Sequence, residues 1–543
     1  MGKQAESLVK GTMILTIAAL VARVLGVVQR VPLQHILDDT GMATYGIAYN
    51  LYFMLLIVAV AGMPTAISKL VSGQLAVGDL EAAKRTYRLA LWFGTFSGSA
   101  LALLMVLLAP WYSEQAGVPE ARAAIWCVAP SMVLFPIIAM MRGWYQGHRF
   151  ATPSGHSQIV EQIFRVGSTV ALAFAGVTLG LSEEPVVALA VLGGTIGGIG
   201  ALWILIRARK QVSSLQQQAM IDAAKTVAPE HSAKAVGYTY LFKLSVPVSI
   251  AALAVPMVYF LDSSLIIPLL QDSLGYLQAK ATVGIMTARA QTLAALPPIL
   301  AIALSASVVP IISAAAARKD QTELSNKAGQ ALRLATFAAT PFIVLLTLAT
   351  PMINRLIFGN GNGNDLIMLM IIGSMFQISM TVTNGLLNGL GKTTIPMMHV
   401  IVGIVLKLGL SVALAPVFGI RGIILATMAG FLTVTILNRI QLSKSIEIKG
   451  ALNAAMIRFY AGSLLIGAAG LCTYDVLMQN NTRWFSHLQP WLVDLLFLFI
   501  ICIVVGVGFA ILMIRGRVMR TSEWAVVPRR IRDLCGRWFL AEQ

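Results

Sequence analysis

A set of ionisable side chains inside long apolar stretches of this sequence points by its types to one kind of chemistry. Arg23, Arg30, Arg165, Arg289 and Lys407 are basic, and Glu161 and Asp262 are the acids that accompany them. A charge at the centre of an apolar span costs roughly 2.5–3.5 kcal/mol on insertion scales, so each needs a partner or a task. Arg23 and Arg30 are seven residues apart, which puts them on one helix face. Glu161 and Arg165 are four apart and within reach of each other on one helix. That pair reads either as a structural ion pair fixing the packing or as part of a cavity. Because bases outnumber acids, the surplus guanidinium suits an anionic, phosphate-bearing ligand gripped bidentately.

Other chemistries lack their residues. Cys127, Cys472, Cys502 and Cys535 are widely separated, so neither a disulfide framework nor a zinc site is supported. His148 and His156 share one break between apolar runs but have no third ligand near them, and no metal or cofactor is expected. Asp38-Asp39 is the one paired-carboxylate candidate for catalysis, and a solvated loop tip accounts for it. The reading is therefore of a protein that is not an enzyme.

These charges must be positioned by membrane-spanning helices. Of the 543 residues, 57% are hydrophobic and 12% charged; the mean hydropathy is +0.79. A soluble fold of this composition could not cover its surface with polar groups. Apolar runs of about 20 residues divided by short polar breaks predict helices instead of the shorter strands of a barrel. Fourteen spans are expected, near 12–37, 45–72, 86–110, 122–146, 157–180, 185–207, 240–269, 282–314, 329–350, 364–390, 395–417, 420–442, 451–475 and 489–514. The first is read as a retained helix, not a cleaved leader. The net charge of +17 collects in the breaks between spans, so the membrane explains it better than nucleic acid does. One set of breaks holds Lys84, Arg85, Arg88, Arg142, Arg149, Arg207, Arg209 and Lys210, whereas the other holds Asp38, Asp39, Glu120, Glu183, Glu184 and Asp272. The bias places both termini in the cytoplasm.

Aligned on itself at an offset near 242, the chain matches Arg142-Gly143 with Asn384-Gly385, and Arg165-Val166-Gly167 with Lys407-Leu408-Gly409. Such a repeat of six spans keeps its orientation, which predicts two lobes related by a pseudo-two-fold axis along the membrane normal. The expected organisation is an N-terminal lobe over 1–208, a Gln/Ala/Lys-rich cytoplasmic linker over 209–239, and a C-terminal lobe over 240–442. Two extra helices over 443–515 and a basic tail over 516–543 follow; the tail reads equally as a membrane-surface segment or as a solvated one. Gly62 and Pro64 in the second span, and Pro297 and Pro298 in the eighth, interrupt their helices and are candidate gating hinges, although static kinks would look the same.

Arg23-Val24-Leu25-Gly26, Gln29-Arg30-Val31-Pro32-Leu33 and Gly62-Met63-Pro64-Thr65-Ala66 resemble the first two helices of the stage V sporulation protein B branch of polysaccharide exporters. Arg142-Gly143…Gln146-Gly147, followed by Gln158…Glu161-Gln162…Arg165, is similar to that branch at spans four and five. The branch belongs to the multidrug/oligosaccharidyl-lipid/polysaccharide exporter superfamily and is similar to peptidoglycan lipid II flippases. The resemblance implies a lipid-linked saccharide as substrate, with Arg23 and Arg289 binding its pyrophosphate and Arg30 specific to the branch. Departures are Gln29, where those flippases would carry a second arginine, and Val58 and its neighbours, which bring none. The resemblance also implies that Asp262 lies where sodium-coupled relatives hold an acid. Lys407 would then occupy the ion's place, unless it snorkels to an interface. The leading function is a flippase for undecaprenyl-pyrophosphate-linked saccharide, lipid II foremost. Alternatives are export of another lipid-linked oligosaccharide, and a non-transporting scaffold that binds membrane lipids and cell-wall synthesis proteins. A drug exporter would favour acidic cavity residues, and a glycosyltransferase would need a catalytic base in a sizeable loop.

The charge bias makes a prediction about sidedness. Single cysteines at Gly78, Gly147 and Gln217 in a cysteine-free background should resist an impermeant thiol reagent in intact cells. Cysteines at Asp39, Ser182 and Asn480 should react. Labelling at 217 would overturn the assigned orientation.

Overall fold

The computed structural model describes residues 8–60, 62–224, 246–299, 312–313, 315–316, 318, 320–446, 454–480, 485, 487–516 and 518. The described residues are helical throughout their ordered elements, as their hydropathy requires: in a membrane every backbone donor and acceptor must be met within its own segment. In chain order the helices are α1 (Leu8–Val60), α2 (Met63–Ala76), α3 (Leu80–Gln115), α4 (Ala121–Gly147), α5 (Thr152–Thr178), α6 (Glu183–Ala224) and α7 (Ala254–Leu274). Then come α8 (Tyr276–Gly284), α9 (Gln321–Phe358), α10 (Asn364–Gly389), α11 (Thr394–Phe418), α12 (Ile420–Ser443), α13 (Ala454–Gln479) and α14 (Pro490–Gly516). Among the described residues, 12 helical segments are long and apolar enough to cross a membrane, and the first of them, Met13–Ala76, holds two of the expected spans. The chain is an all-α polytopic membrane protein. The eighth expected span, 282–314, lies partly outside the described residues, as do the second part of the linker and nearly all of the basic tail. Through the first part of the linker α6 continues as helix, to Ala224.

The expected loop between the first two spans shrinks to one residue. Within α1 the only non-helical backbone is at Asp38, with φ 53° and ψ −174°. Gln29 and Tyr45 nevertheless hydrogen-bond through their side chains, Nε2 donating to the hydroxyl at 3.4 Å. Residues that far apart in a straight helix would be about 24 Å distant. The chain therefore doubles back at Asp38, and the arms before and after it run antiparallel. Asp39 steadies the corner by accepting a 2.7 Å bond from Gln34. Positions at equal distances from Asp38 along the two arms then lie at similar depth.

By packing, the chain forms two compact units, Met1–Ala288 and Arg289–Gln543. The seventh expected span, as far as it is described, and the start of the eighth up to Ala288 fall in the first unit, and the eighth passes into the second unit from Arg289. The physical reason is the fit of α8 and the turn after it to α1. A side chain at Gly284 would collide with the Asp39 carbonyl, and one at Gly46 would collide with Thr287. The ends of this unit are joined by Lys280, buried beside Glu183 at 3.0 Å and Glu120 at 3.7 Å. Thr44 donates to the same Glu183 carboxylate at 2.8 Å.

In the second unit α9, α13 and α14 share an apolar core of Phe337, Met352, Phe459, Phe497 and Ile501. Arg355 on α9 forks onto Asp494 of α14, with Nε 2.9 Å from one carboxylate oxygen. The last two helices are therefore welded to α9 by both burial and a bidentate ion pair.

The dihedral angles at Asp38 fall in a region that essentially only glycine adopts without strain. Asp38→Gly should keep the fold and raise the melting temperature in detergent, by a stabilisation of up to about 1 kcal/mol. Asp38→Val should lower it. A loss of stability in the glycine variant would show that the corner does not have this geometry.

Candidate functional site

The corner at Asp38 brings the arm that carries Arg30 against the aromatic residues of the other arm. The Arg30 guanidinium carbon lies 5.4 Å from the Tyr45 ring centroid and 5.3 Å from that of Tyr49. Its Nη1 donates to the Thr287 carbonyl at 3.2 Å. A guanidinium over two ring faces is attracted by their quadrupoles, more strongly where water is scarce. Gln29, the departure noted in the sequence, holds the Tyr45 hydroxyl and so orients the first ring. Asn50 secures the same arm to α7 by donating to the Tyr259 carbonyl at 3.3 Å.

Arg165 reaches this place from α5. Its Nη2 lies 4.0 Å from where a side chain on Gly26 would begin, so the glycine leaves the guanidinium room against α1. Arg23, Gly26 and Arg30 are spaced i, i+3, i+7 and form one stripe. The stripe therefore carries three cationic groups in order: Arg23, Arg165 lodged over Gly26, and Arg30. Along a helix it extends about 10 Å. Arg23 is exposed on the chain, whereas Arg30 and Arg165 are half-buried.

Glu161 does not spend its carboxylate on the arginine four residues on. Arg142 of α4 takes it, Nη2 to Oε2 at 2.8 Å, and donates through Nε to Ser157 at 2.9 Å. The other Glu161 oxygen accepts from Gln162 at 3.2 Å, and Gln162 in turn accepts from Arg165 at 2.5 Å. The order is Arg142, Glu161, Gln162, Arg165: a neutral amide stands between the buried acid and the Arg165 guanidinium. Arg142 and Gln162 were not singled out in the sequence for this role. The signal that could have found them is the register of the α4–α5 hairpin, which brings Arg142 opposite Glu161.

Arg289 is placed differently. It is fully buried in a π-helical turn, Ile285–Ala290, and its Nη1 donates to Asn354 Oδ1 at 3.1 Å and to the Asn362 carbonyl at 3.2 Å. It belongs to the second unit, and Arg23 and Arg30 to the first. Asp262 is 1% exposed on α7 in the first unit, and Lys407 is 0% exposed on α11 in the second. Lys407 faces α12, where a side chain on Gly430 would touch its Cβ, so it is enclosed instead of lying along an exposed face. The hinge candidates do mark breaks: α2 starts after Gly62, whose φ is 65°, and carries Pro64 in its first turn. Pro297 and Pro298 are buried just after a turn at Ala295 that interrupts the helix.

The repeat positions of Arg142 and Ser157 are Asn384 and His399, and these too are linked, through Asn438 of α12. Asn438 donates to Asn384 at 2.7 Å and to Thr383 at 3.0 Å, and its oxygen lies 2.8 Å from His399 Nδ1. The same helix positions thus hold an ion pair in one unit and a neutral network in the other.

A bundle of membrane-length helices with a cationic stripe inside it defines a polytopic carrier-like protein, and the comparisons give the family. Residues 8–316 match the family described as polysaccharide biosynthesis protein, and the chain belongs to it. It is 25% identical to lipid II flippase MurJ of Bacillus subtilis (strain 168) over 449 residues, covering 79% of this chain and 81% of that one. It is 26% identical to stage V sporulation protein B of the same organism over 465 residues, covering 83% and 88%. The resemblance to the sporulation branch of the exporter superfamily therefore holds. A solved structure of lipid II flippase MurJ in an inward closed conformation aligns with a TM-score of 0.55 at 16% identity, over 93% of this chain and all of that one. A multidrug resistance transporter of the MATE family, inward-facing, aligns with a TM-score of 0.60 at 14% identity, over 77% of this chain and 98% of that one.

The Arg142–Glu161 pair is enclosed, with side-chain exposures of 15% and 7%. Removing one partner from such a pair typically costs about 3–5 kcal/mol, because the other charge is left buried. Arg142→Met and Glu161→Leu should each lower the melting temperature sharply. The double variant should lose less than the two singles together, by at least about 1 kcal/mol. Strict additivity would show that the two groups do not interact.

Proposed function

We propose that the chain is a flippase that moves an undecaprenyl-pyrophosphate-linked saccharide, foremost lipid II, from the inner to the outer face of the cytoplasmic membrane by alternating access. It is a transporter and not an enzyme, its two termini are cytoplasmic, and its work places it beside the cell-wall synthesis proteins. The observation that carries this is the stripe of Arg23, Arg165 and Arg30 along α1. Guanidinium groups pair with pyrophosphate oxygens through parallel N–H donors, and their charge is not lost at any working pH. The half-buried setting strengthens that attraction relative to water. Arginines spread over about 10 Å along the stripe can pass a diphosphate from one to the next while the attached isoprenoid stays in lipid. Arg289 is the basic residue of the second unit in this scheme, held in this conformation by Asn354 and Asn362. Similarity to MurJ and to the sporulation protein supports the substrate class, and the arginine surplus favours an anionic cargo over a cationic drug. The breaks at Gly62–Pro64 and Pro297–Pro298 are the hinges, and Asp262 and Lys407 are the coupling charges that make sodium unnecessary.

The test is rescue of cells depleted of their own lipid II flippase. The wild-type chain should restore growth in sodium medium and, at fixed membrane potential, should translocate equally well with choline in place of sodium. Arg23→Ala, Arg165→Ala and Arg289→Ala should abolish rescue while the protein still accumulates, and Lys should substitute poorly because it lacks the fork. Gly26→Leu, which crowds Arg165 off α1, should fail with them, whereas Gly26→Ala leaves ordinary contact distance and should succeed. Normal rescue by the arginine variants would favour the scaffold reading. A strict sodium requirement would remove the coupling role of Lys407.

A further inference from the structure

The arm of α1 after Asp38 carries a feature that diphosphate binding does not use. Tyr45, Tyr49 and Phe53 are spaced i, i+4, i+8, so their rings fall along one face. The Tyr45 and Tyr49 centroids are 5.7 Å apart with planes inclined by 12°, and those of Tyr49 and Phe53 are 6.3 Å apart with planes inclined by 7°. Three rings lie nearly parallel in a strip about 12 Å long, the rise of eight helical residues. Tyr45, at one end, is buried against Gln29 and Arg30. Tyr49 and Phe53 are only half-buried.

The strip runs beside the arginine stripe. Arg30 touches its first two rings, and Arg165 lies within electrostatic range of both Tyr45 and Tyr49. By the register of the corner, Phe53 is as far from Asp38 along its arm as Arg23 is along the other. One arm therefore carries cations and the other carries half-buried aromatic rings, at matching distances from the corner. Packed rings favour both offset-stacked and edge-to-face arrangements, the latter seen for Tyr52 against Phe135 at an interplanar angle of 68°. What sets Tyr49 and Phe53 apart is that neither ring is fully covered and that Arg30 lies over Tyr49.

We propose that Tyr49 and Phe53 form a saccharide subsite, on which a sugar ring attached to the diphosphate stacks while Arg30 and Arg165 hold the phosphates. The apolar C–H face of a pyranose is complementary to the negative face of an aromatic ring, and its hydroxyl edge stays free for polar partners. Tyr45 acts as a positioning residue, setting the Tyr49 plane and the place of Arg30. The inference rests on the proposed function and deepens it: this site reads the saccharide, whereas the arginines read only the diphosphate.

The experiment compares two ligands on purified full-length protein in nanodiscs, undecaprenyl pyrophosphate and the same lipid carrying a disaccharide, each measured by equilibrium binding. Wild type should prefer the glycosylated lipid by roughly tenfold, the scale of one or two aromatic contacts. Phe53→Ala and Tyr49→Ala should bring that ratio close to one. Tyr49→Phe, which keeps the ring, and Phe53→Trp should retain it. If wild type binds both lipids equally, or if the two alanine variants keep the full preference, the saccharide subsite is wrong while the flippase reading stands. Failure of wild type to bind either lipid would overturn both.

Discussion

A guanidinium inside an apolar bundle has to have its donors and its charge met, and this requirement organises the structure around it. An unmet buried polar group typically costs 1–3 kcal/mol, and more if charged. The molecule answers in several ways. Arg142 has the Glu161 carboxylate, Arg165 an amide oxygen, Arg30 two ring faces and a carbonyl, and Arg289 an asparagine and a loop carbonyl. Of the partners just named, Glu161 alone carries a full negative charge. Arg30 and Arg165 are thus held in place without being neutralised, the condition under which they can still attract an anion.

That arrangement depends on a single corner. Reversal of α1 at Asp38 leaves no loop to adjust the register between its arms, so the depth of Arg30 dictates which residues it meets. The backbone at the corner is held by Gln34 on Asp39 and by the close passage of Gly284 across the Asp39 carbonyl. The π-helical turn that follows α8 supplies the Thr287 carbonyl to Arg30 and, two residues later, Arg289 to the second unit. Irregular backbone of this kind is frequent at functional sites, and it re-aims side chains that a regular helix would send elsewhere.

The two units put different chemistry on corresponding positions. Arg142 and Ser157 become Asn384 and His399, and half-buried Arg165 becomes enclosed Lys407. The first network joins α4 to α5, and the second joins α10, α11 and α12, so both tie neighbouring helices together. The first unit concentrates cations at an accessible face, whereas the second satisfies its polar groups internally through Asn438. The apolar core of α9, α13 and α14, closed by Arg355 and Asp494, makes the last two helices part of the second unit.

Much of this was legible along the chain. Hydropathy over windows of about 20 residues is a local property, and it determined helices, their approximate ends and the class of protein. Helical periodicity determined that Arg23 and Arg30 share a face, and the count of residues within the spans showed bases outnumbering acids. What only the tertiary structure decided is which helix meets which, and at what register. Glu161 and Arg165 are the right distance apart for a pair within α5, yet the rotation of α5 against α4 delivers the carboxylate to Arg142. Arg289 has the composition of a ligand-binding residue, yet packing encloses it behind Asn354. Tyr49 and Phe53 looked like any apolar filling of a span until a one-residue reversal set them opposite the arginines. One residue of shift in that corner would rotate the facing side chains by about 100°, and no local pattern in the sequence encodes so small a difference.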